Sequence, residues 1–480
     1  MKCHMQCRMK CHPETSYSWL MQTSSSERNT VPPTSRAQAA PVHGGWLERR
    51  FAIGARGSSV RTEVLAGITT FLAAAYLLVV IPSLLATGGM DRGAATTAVM
   101  LVFVLFSVLM GWYANLPFVV GPGIGGSVIV GVTLAATEHV AWQTGIAIAF
   151  LSGLLFLLLT LVGARSVVAR LIPTAIKLGL GASIGLFIAV LGVRNAGMVV
   201  ANAKTNAFAL GDFSKPGTLV ALIGLGVAVL LQGRKVPGAI LWSILVAAIA
   251  GVPLGVTKVP ESFISLPHSL APVAFQLDLK SALTISALPY LFAFFAAEFF
   301  STLGTTLAVG GKAGLLDEHG NMENINRPFL VDSIAATGGA LLGIPALTAL
   351  VESAAGVEAG GRTGLTSIAA AVMFALVCFF VPVALAIPKE ATAPALILIG
   401  LSMFSTIRHV PFDDFSDAFP VLAMVLLTLL SNSFGTGIAG GLLCYVLVKA
   451  LMGRFKELPW GLYVLALPLA YYFWTVVGRH

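Results

Sequence analysis

Long apolar runs without a charged side chain dominate the pattern of this sequence. Such runs cover residues 93–137, 363–388 and 418–448. A membrane-spanning helix needs about 20 mostly apolar residues, and a backbone in lipid must satisfy its own hydrogen bonds in helices or in a closed barrel. Barrel strands would alternate apolar and polar positions, whereas the stretch from Leu154 to Leu159 is continuously apolar. The pattern therefore predicts membrane-spanning helices.

The apolar segments predict an all-α polytopic membrane protein with about 14 transmembrane helices. The segments of the first half of the chain are 63–86, 94–117, 119–136, 141–164, 173–192, 217–233 and 237–256. Those of the second half are 282–309, 329–343, 346–360, 364–388, 391–407, 417–432 and 434–453. A further apolar stretch at 459–477 either crosses the membrane or lies along its surface.

Both halves present their features in the same order, which predicts two related repeats. The third segment of each half is short and interrupted by Gly or Pro, at Gly121–Gly126 and at Val351–Gly361. Because each repeat has an odd number of spans, the two insert with opposite orientation, as the inverted repeats of many secondary transporters do. Paired broken segments of this kind indicate a substrate site near the middle of the membrane.

These patterns divide the chain into segments of different character. The first repeat is expected at 61–256, a connecting loop at 257–281, the second repeat at 282–453 and a C-terminal apolar segment at 454–480. Residues 1–60 form a polar extension that we expect to be disordered or to come from a mis-assigned start. The alternative is a metal site with the ligands Cys3, His4, Cys7, Cys11 and His12. The extension, however, has no apolar residues that could fold around a metal.

Composition and charge agree with a membrane location. Hydrophobic residues make up 57% of the chain and charged residues only 10%, whereas soluble domains carry about 25% charged residues. The net charge of +8 does not indicate nucleic-acid binding, because the basic residues lie in short loops. With a cytoplasmic N-terminus, Arg165, Arg170, Arg234, Lys235 and Arg408 all fall inside, as the positive-inside rule requires. We therefore expect a multi-pass protein of the inner membrane, surrounded by the lipid bilayer.

Glu298 lies deep inside the apolar run 282–309. An ionisable residue within a membrane span is costly and by default marks a functional site. Ser301, Thr302 and Thr305 follow three, four and seven residues later, which places them near the same helix face. Helix–helix packing is the alternative interpretation, because Ser and Thr often join membrane helices. The carboxylate favours a substrate or proton site.

Glu352 lies where the second broken segment is expected to become helical. A stabilising cap is the alternative role, since a carboxylate near a helix N-terminus is electrostatically favoured. Its predicted depth in the membrane favours a functional site instead. A carboxylate accepts two hydrogen bonds in one plane, which suits a ligand with adjacent N–H donors. Either carboxyl group could also carry a proton through a transport cycle.

Other kinds of chemistry find little support in the sequence. The phosphate-binding pattern GxxxxGK[ST] does not occur, so transport driven by ATP is not indicated. The apolar spans contain no cluster of His and Cys beside the two glutamates, so a membrane enzyme is a weak alternative. We expect no cofactor and no metal. A second copy of the chain, in a homodimer, is a further candidate partner.

Several motifs together resemble those of the AzgA-like adenine/guanine/hypoxanthine permeases, which are nucleobase–cation symporters. The motifs are TTFLAAAY (69–76), MGWYANLPF (110–118), GPGIG (121–125), AGLLDEHGN (313–321) and VESAAGVEAGGRTGLT (351–366). The resemblance extends from about residue 46 to the end of the chain. It implies two inverted seven-helix repeats, divided into core and gate subdomains, and symport of a purine with a proton.

The resemblance also implies roles for individual residues. Glu352 matches the base-binding glutamate of the second broken segment, and Glu298 matches the first acid of the motif D-x-x-D-T-x-G-T. Ser301 replaces the second acid of that motif, and Ser127 stands where the family usually has Asn. The predicted proton-coupling residues are Glu298 and Glu352. The predicted substrate-binding residues are Glu298, Glu352, Ser301, Thr302, Ser127, Gly123 and Ser353.

The replaced polar positions leave a second substrate class open. The purines adenine, guanine and hypoxanthine are the substrates that the resemblance implies. Because Ser301 and Ser127 change the polar groups of the expected site, another planar, nitrogen-rich solute such as a pyrimidine, urate or xanthine is the alternative. Its coupling to protons could differ as well.

Overall fold

The computed structural model describes residues 45–163, 173–201, 208–316, 322, 324–431, 433–458 and 460–477. Most of the extension predicted at 1–60, with its alternative metal site, lies outside these residues, as do the loop cations Arg165 and Arg170. Within the described ranges, eight helices are long and apolar enough to cross a membrane, and several shorter apolar helices accompany them. The chain is therefore a multi-pass membrane protein.

From residue 60 onwards the helices of the first half match the predicted segments. Residues 46–51 are helical, so the expected disorder of residues 1–60 is wrong for this part. The helices are α1 (Trp46–Phe51), α2 (Val60–Ala74), α3 (Leu77–Thr87), α4 (Arg92–Leu109), α5 (Ile124–Val128), α6 (Trp142–Leu161), α7 (Thr174–Asn195), α8 (Pro216–Gly233) and α9 (Ala239–Gly251). Two π-helical stretches, Met110–Ala114 and Ile129–Thr137, continue α4 and α5. The first predicted span is interrupted between α2 and α3, which the sequence pattern did not predict.

The second half repeats this order. Its helices are α10 (Leu279–Ala282), α11 (Leu288–Lys312), α12 (Asn326–Leu341), α13 (Ser353–Glu358), α14 (Gly364–Val377), α15 (Val381–Ala386), α16 (Lys389–Phe404), α17 (Phe415–Ser431), α18 (Phe434–Leu451) and α19 (Trp460–Val477). The short α13 corresponds to the short α5, and both follow a stretch of extended chain.

The two broken segments meet through an antiparallel pair of short strands. Strand β1 (Val120–Pro122) precedes α5, and β4 (Leu347–Ala349) precedes α13, with Gly121 opposite Thr348 in the register. Antiparallel pairing of equivalent strands means that the two halves run in opposite directions where they cross. The predicted inverted repeats are thereby confirmed, and so is the prediction that extended chain leads into each half-helix.

Backbone hydrogen bonds prolong the pairing beyond the strands themselves. The amide of Gly123 donates to the carbonyl of Ala346 over 2.9 Å, and the amide of Leu350 donates to the carbonyl of Val119 over 2.9 Å. A Cβ atom at Gly126 would lie only 2.2 Å from the Cβ of Ala346. Glycine in the first turn of α5 is therefore required for the approach of the other segment.

A second strand pair lies in a loop where the sequence predicted none. Strands β2 (Val199–Ala201) and β3 (Phe208–Leu210) form an antiparallel pair between α7 and α8. Each strand has only three residues, which is too short for an alternating pattern to be recognised in the sequence. The finding does not alter the helical core.

Ion pairs join the ends of α17 and α18. The buried ammonium group of Lys449 lies 2.8 Å from carboxylate oxygens of both Asp417 and Glu457. Arg454 pairs with Asp414 over 2.6 Å. Hydrogen bonds from the Ser416 hydroxyl and from Arg454 hold the pKa of Asp414 well below its ordinary value. These contacts tie the start of α17 to the end of α18 and to the segment that follows α18.

A buried carboxylate caps helix α14 from the other repeat. Glu63, on α2, accepts hydrogen bonds from the amides of Arg362 (3.0 Å) and Thr363 (3.2 Å) and from the hydroxyl of Thr366 (2.5 Å). The first amides of a helix have no partner within the helix, and a negative charge is favoured at that end. Glu63 therefore has a structural role that links the two repeats.

We predict that Glu63→Gln lowers the thermal stability of the purified protein. The amide keeps one acceptor oxygen and directs an N–H group at backbone donors, so at least one hydrogen bond to a charged group is lost, at a cost of about 1.5–3 kcal/mol. The measurement is the apparent melting temperature in detergent. Glu358→Gln is the control, because Glu358 pairs with Lys312 on the surface, where such pairs contribute about 0–1 kcal/mol. Equal melting temperatures for the two variants would contradict the capping role.

Candidate substrate site at the crossing of the broken segments

Asp332 connects three elements at the strand crossing. It lies on α12 and is fully buried. Its Oδ2 atom accepts hydrogen bonds from the hydroxyl of Thr302 on α11 (2.7 Å) and from the amide of Ala349 at the end of β4 (2.9 Å). The hydroxyl of Thr348 lies 3.4 Å from the same atom and 3.2 Å from the Thr302 hydroxyl. One carboxylate oxygen thus holds α11 and β4 together.

Glu298 lies one turn before Thr302 on the buried face of α11, and its side chain is only 1% exposed. Its Oε2 atom accepts a hydrogen bond from the Ser152 hydroxyl of α6 over 3.3 Å. Among the described residues, neither Glu298 Oε1 nor Asp332 Oδ1 has a hydrogen-bond partner. Because Thr302, one turn after Glu298, binds Asp332, the two buried acids belong to the same region of the interior.

Aromatic rings surround this part of α11. Phe299 lies 5.8 Å from Phe156 of α6 and 5.7 Å from Phe329 of α12, measured between ring centroids. Glu298, the chain neighbour of Phe299, is itself buried. An isolated carboxylate is very costly in such surroundings unless it is paired or protonated.

Glu352 occupies the N-terminal end of the second half-helix, as the sequence predicted. It is the N-cap residue of α13, its side chain is partly exposed, and its Oε1 atom accepts a hydrogen bond from the Tyr76 hydroxyl over 2.6 Å. Tyr76 lies at the interruption between α2 and α3. Glu352 and Glu298 have different partners, so they do not belong to one shared hydrogen-bond network.

The remaining predicted site residues differ in what they contact. Ser353 accepts a hydrogen bond from the amide of Val119 over 3.0 Å, which supports the strand crossing. Ser127 donates to the carbonyl of Gly123 over 3.2 Å, within the first half-helix. Ser301 is partly exposed, whereas its neighbour Thr302 is fully buried. Thr302 and Ser353 therefore position the site in this conformation.

Sequence reasoning missed Asp332, Tyr76 and Ser152. Asp332 carried a usable signal, because it is an acid within a predicted helix and is followed by a long charge-free run. Tyr76 and Ser152 carried none, since their importance depends on contacts with residues 276 and 146 positions away. Within the described ranges, no group of three or more side chains has the composition of a metal site.

Two cavities open elsewhere in the molecule. Their volumes are about 970 Å³ and about 330 Å³, and neither is lined by Glu298, Glu352 or Asp332.

Two inverted repeats, with half-helices and carboxylates meeting at their crossing, define a polytopic membrane transporter. The chain belongs to the permease family Xan_ur_permease, whose model matches residues 61–441. The expectation of a nucleobase permease family is confirmed by this match and by the relatives.

Named relatives match nearly the whole chain. A putative permease of Methanocaldococcus jannaschii is 38% identical over 90% of this chain and 99% of its own length. The adenine permease AdeQ of Escherichia coli K12 is 35% identical over 86% of this chain and 93% of its own length. The guanine/hypoxanthine permease GhxP of Escherichia coli O157:H7 is 35% identical over 90% of this chain and 97% of its own length.

A solved structure shares the fold. The transmembrane domain of the cyanobacterial bicarbonate transporter BicA superposes with a TM-score of 0.60, covering 79% of this chain and 97% of that domain. The two sequences are 16% identical. This likeness concerns the arrangement of the helices alone.

We predict that Thr302→Val destabilises the crossing, whereas Thr302→Ser does not. Valine has nearly the same shape but cannot donate to Asp332, and losing a hydrogen bond to a charged group costs about 1.5–3 kcal/mol. The measurement is the melting temperature in detergent, which should fall for the valine variant and stay near the wild-type value for the serine variant. A valine variant as stable as the wild type would show that this hydrogen bond does not hold α11 to β4.

Proposed function

We propose that this protein imports purine nucleobases, namely adenine, guanine or hypoxanthine, by symport with protons across the inner membrane. The observation that carries the proposal is the position of Glu352 at the N-terminus of the second half-helix, three residues after strand β4, whose last amide is bound by the buried acid Asp332. The names of the relatives AdeQ and GhxP support the choice of purines.

The chemistry of a purine fits this position. A nucleobase presents adjacent N–H donors in one plane, and a carboxylate accepts two hydrogen bonds in one plane. The first amides of α13 already donate to the carbonyls of residues 350–352, so in this proposal the Glu352 carboxylate supplies the contact with the base. In this proposal Glu352 exchanges its bond with Tyr76 for bonds to the base, and Gly123 lets the planar ligand approach the backbone.

The buried acids support coupling to protons. No cation is among the described partners of Glu298 and Asp332, and each has an oxygen without a hydrogen-bond partner in the described chain. Because an unpaired buried charge is costly, we propose that Glu298 binds the transported proton and that Asp332 holds it in place. Glu352 is the second candidate for this role.

Ser301 favours a second candidate substrate class. A serine where the resemblance implies an acid removes one acceptor from the expected site, so a pyrimidine, urate or xanthine is the alternative solute.

We also propose that the N-terminus is cytoplasmic and that the protein acts as a permease without catalysing a reaction. A homodimer is the assembly to test first.

We predict that Glu352→Gln reduces nucleobase uptake about ten- to a hundredfold. The amide offers one acceptor oxygen where the carboxylate offers two, and a lost hydrogen bond to a charged group costs about 1.5–3 kcal/mol. The measurement is uptake of labelled adenine, guanine, hypoxanthine, xanthine and uracil by cells that lack their own permeases. Glu358→Gln, on the surface of the same half-helix, is the control. Wild-type uptake by Glu352→Gln at normal membrane levels would remove Glu352 from the site.

We predict that Glu298→Gln abolishes the dependence of uptake on pH. In the wild type, uptake should fall as the external pH rises, because fewer protons are available to load the carrier. Glutamine keeps the size of the side chain but cannot release a proton. The measurement is the initial rate of uptake in proteoliposomes between pH 5 and 8, the range in which we expect the change. An unchanged pH profile in Glu298→Gln would mean that another group couples transport to protons.

A further inference from the structure

The larger cavity, of about 970 Å³, lies apart from the strand crossing. It is bounded by the end of the first half-helix, the first residues of α6, the N-terminal part of α11, the end of α17 and the start of α18. Its volume is at the upper end of the range for small-molecule sites, about 300–1,000 Å³. The mechanism proposed above assigns it no role.

One carboxylate and several hydroxyls supply the polar groups of this cavity. Glu138, which follows the first half-helix, accepts hydrogen bonds through Oε1 from the hydroxyls of Tyr290 and Ser433. Those two hydroxyls lie 3.1 Å apart. Among the described lining residues there is no Lys or Arg, and His139 is the only titratable side chain besides Glu138 and Tyr290. Further hydroxyls come from Thr137, Thr144, Ser281, Thr284 and Ser431.

This lining selects a class of ligand. Without a cationic side chain the cavity offers nothing to pair with an anion, whereas Glu138 is a strong acceptor for N–H donors. The hydroxyls both donate and accept, and Leu134, Ile148 and Phe473 provide apolar surface. The chemistry fits a neutral, partly apolar molecule that is rich in N–H groups.

Two elements lead from this cavity to the crossing. Helix α11 carries Tyr290 in the cavity and Glu298 at the buried site, eight residues further on, which is about 12 Å along the helix. The first half-helix begins beside the crossing at Gly123 and its π-helical continuation ends at Thr137, in the cavity wall. A solute held at Glu138 is therefore about two helical turns from the buried site.

We propose that the cavity around Glu138 is a second binding station for the transported nucleobase, where the base waits before it reaches the site at Glu352. Glu138 accepts hydrogen bonds from the base, and Tyr290 and Ser433 hold that carboxylate in position. The inference rests on the proposed nucleobase transport and adds a separate site to it.

Equilibrium binding of labelled adenine, guanine or hypoxanthine to the purified protein in lipid nanodiscs tests the inference. The base used is the one that the wild-type protein takes up. The wild type should bind two molecules per chain and Glu352→Gln one. The double variant Glu138→Gln/Glu352→Gln should bind at least tenfold more weakly than Glu352→Gln alone. Glu261→Gln/Glu352→Gln is the matched control, because Glu261 is exposed in the loop before α10, and it should bind like Glu352→Gln.

A second variant tests the same cavity in case Glu138→Gln prevents correct folding. Leu430→Trp changes an exposed side chain of the cavity wall, removes no hydrogen bond and adds bulk there, so in the Glu352→Gln background it should also weaken the remaining binding at least tenfold. Undiminished binding by both double variants would overturn the second station while leaving the proposed function intact. A wild-type protein that binds and transports none of these bases would overturn the proposed function, and this inference with it.

Discussion

Backbone amides and carbonyls inside a membrane have no water to bond, so every interruption of a helix needs partners from the protein. This protein interrupts two helices at the same place and lets the exposed backbone groups satisfy each other. Strands β1 and β4 exchange hydrogen bonds, and the bonds of Gly123 and Leu350 extend the pairing. Asp332 and Ser353 then accept backbone amides at its edges. The half-helices, and the polar site between them, depend on this pairing.

The pairing also explains why acids collect around the crossing. Asp332 contributes one oxygen to Ala349 and Thr302, and its other oxygen, like one oxygen of Glu298, has no hydrogen-bond partner among the described residues. An unpaired buried carboxylate costs folding stability, so apolar side chains would serve better if these two acids were only structural. The loss of stability is understandable where the protein must bind and release a proton and a polar solute. Glu63 shows the contrasting case, since all of its described contacts cap helix α14 and no unpaired oxygen remains.

Local sequence patterns predicted the fold more fully than the site. Apolar runs predicted the long helices close to their observed positions but missed the short helices α1 and α10 and the interruption between α2 and α3. Gly or Pro in the third and tenth segments predicted the broken helices. The observed strands of three residues were too short to predict as strands. Glu298 and Glu352 were found as isolated charges, but their partners Ser152 and Tyr76 are distant in sequence and have no distinguishing pattern. The cluster of Glu138, Tyr290 and Ser433 joins loop ends from both repeats, so only the folded chain brings it together.

The central claim is that a nucleobase binds at the strand crossing through Glu352. The most direct measurement is a cryo-EM structure of the protein in lipid nanodiscs, determined with a saturating concentration of the base that it transports. Our account predicts planar density beside the ends of β1 and β4, within hydrogen-bond distance of the Glu352 carboxylate, with the bond to Tyr76 broken or shared. Density for the base that is absent from the crossing, with Glu352 still bonded to Tyr76, would contradict it.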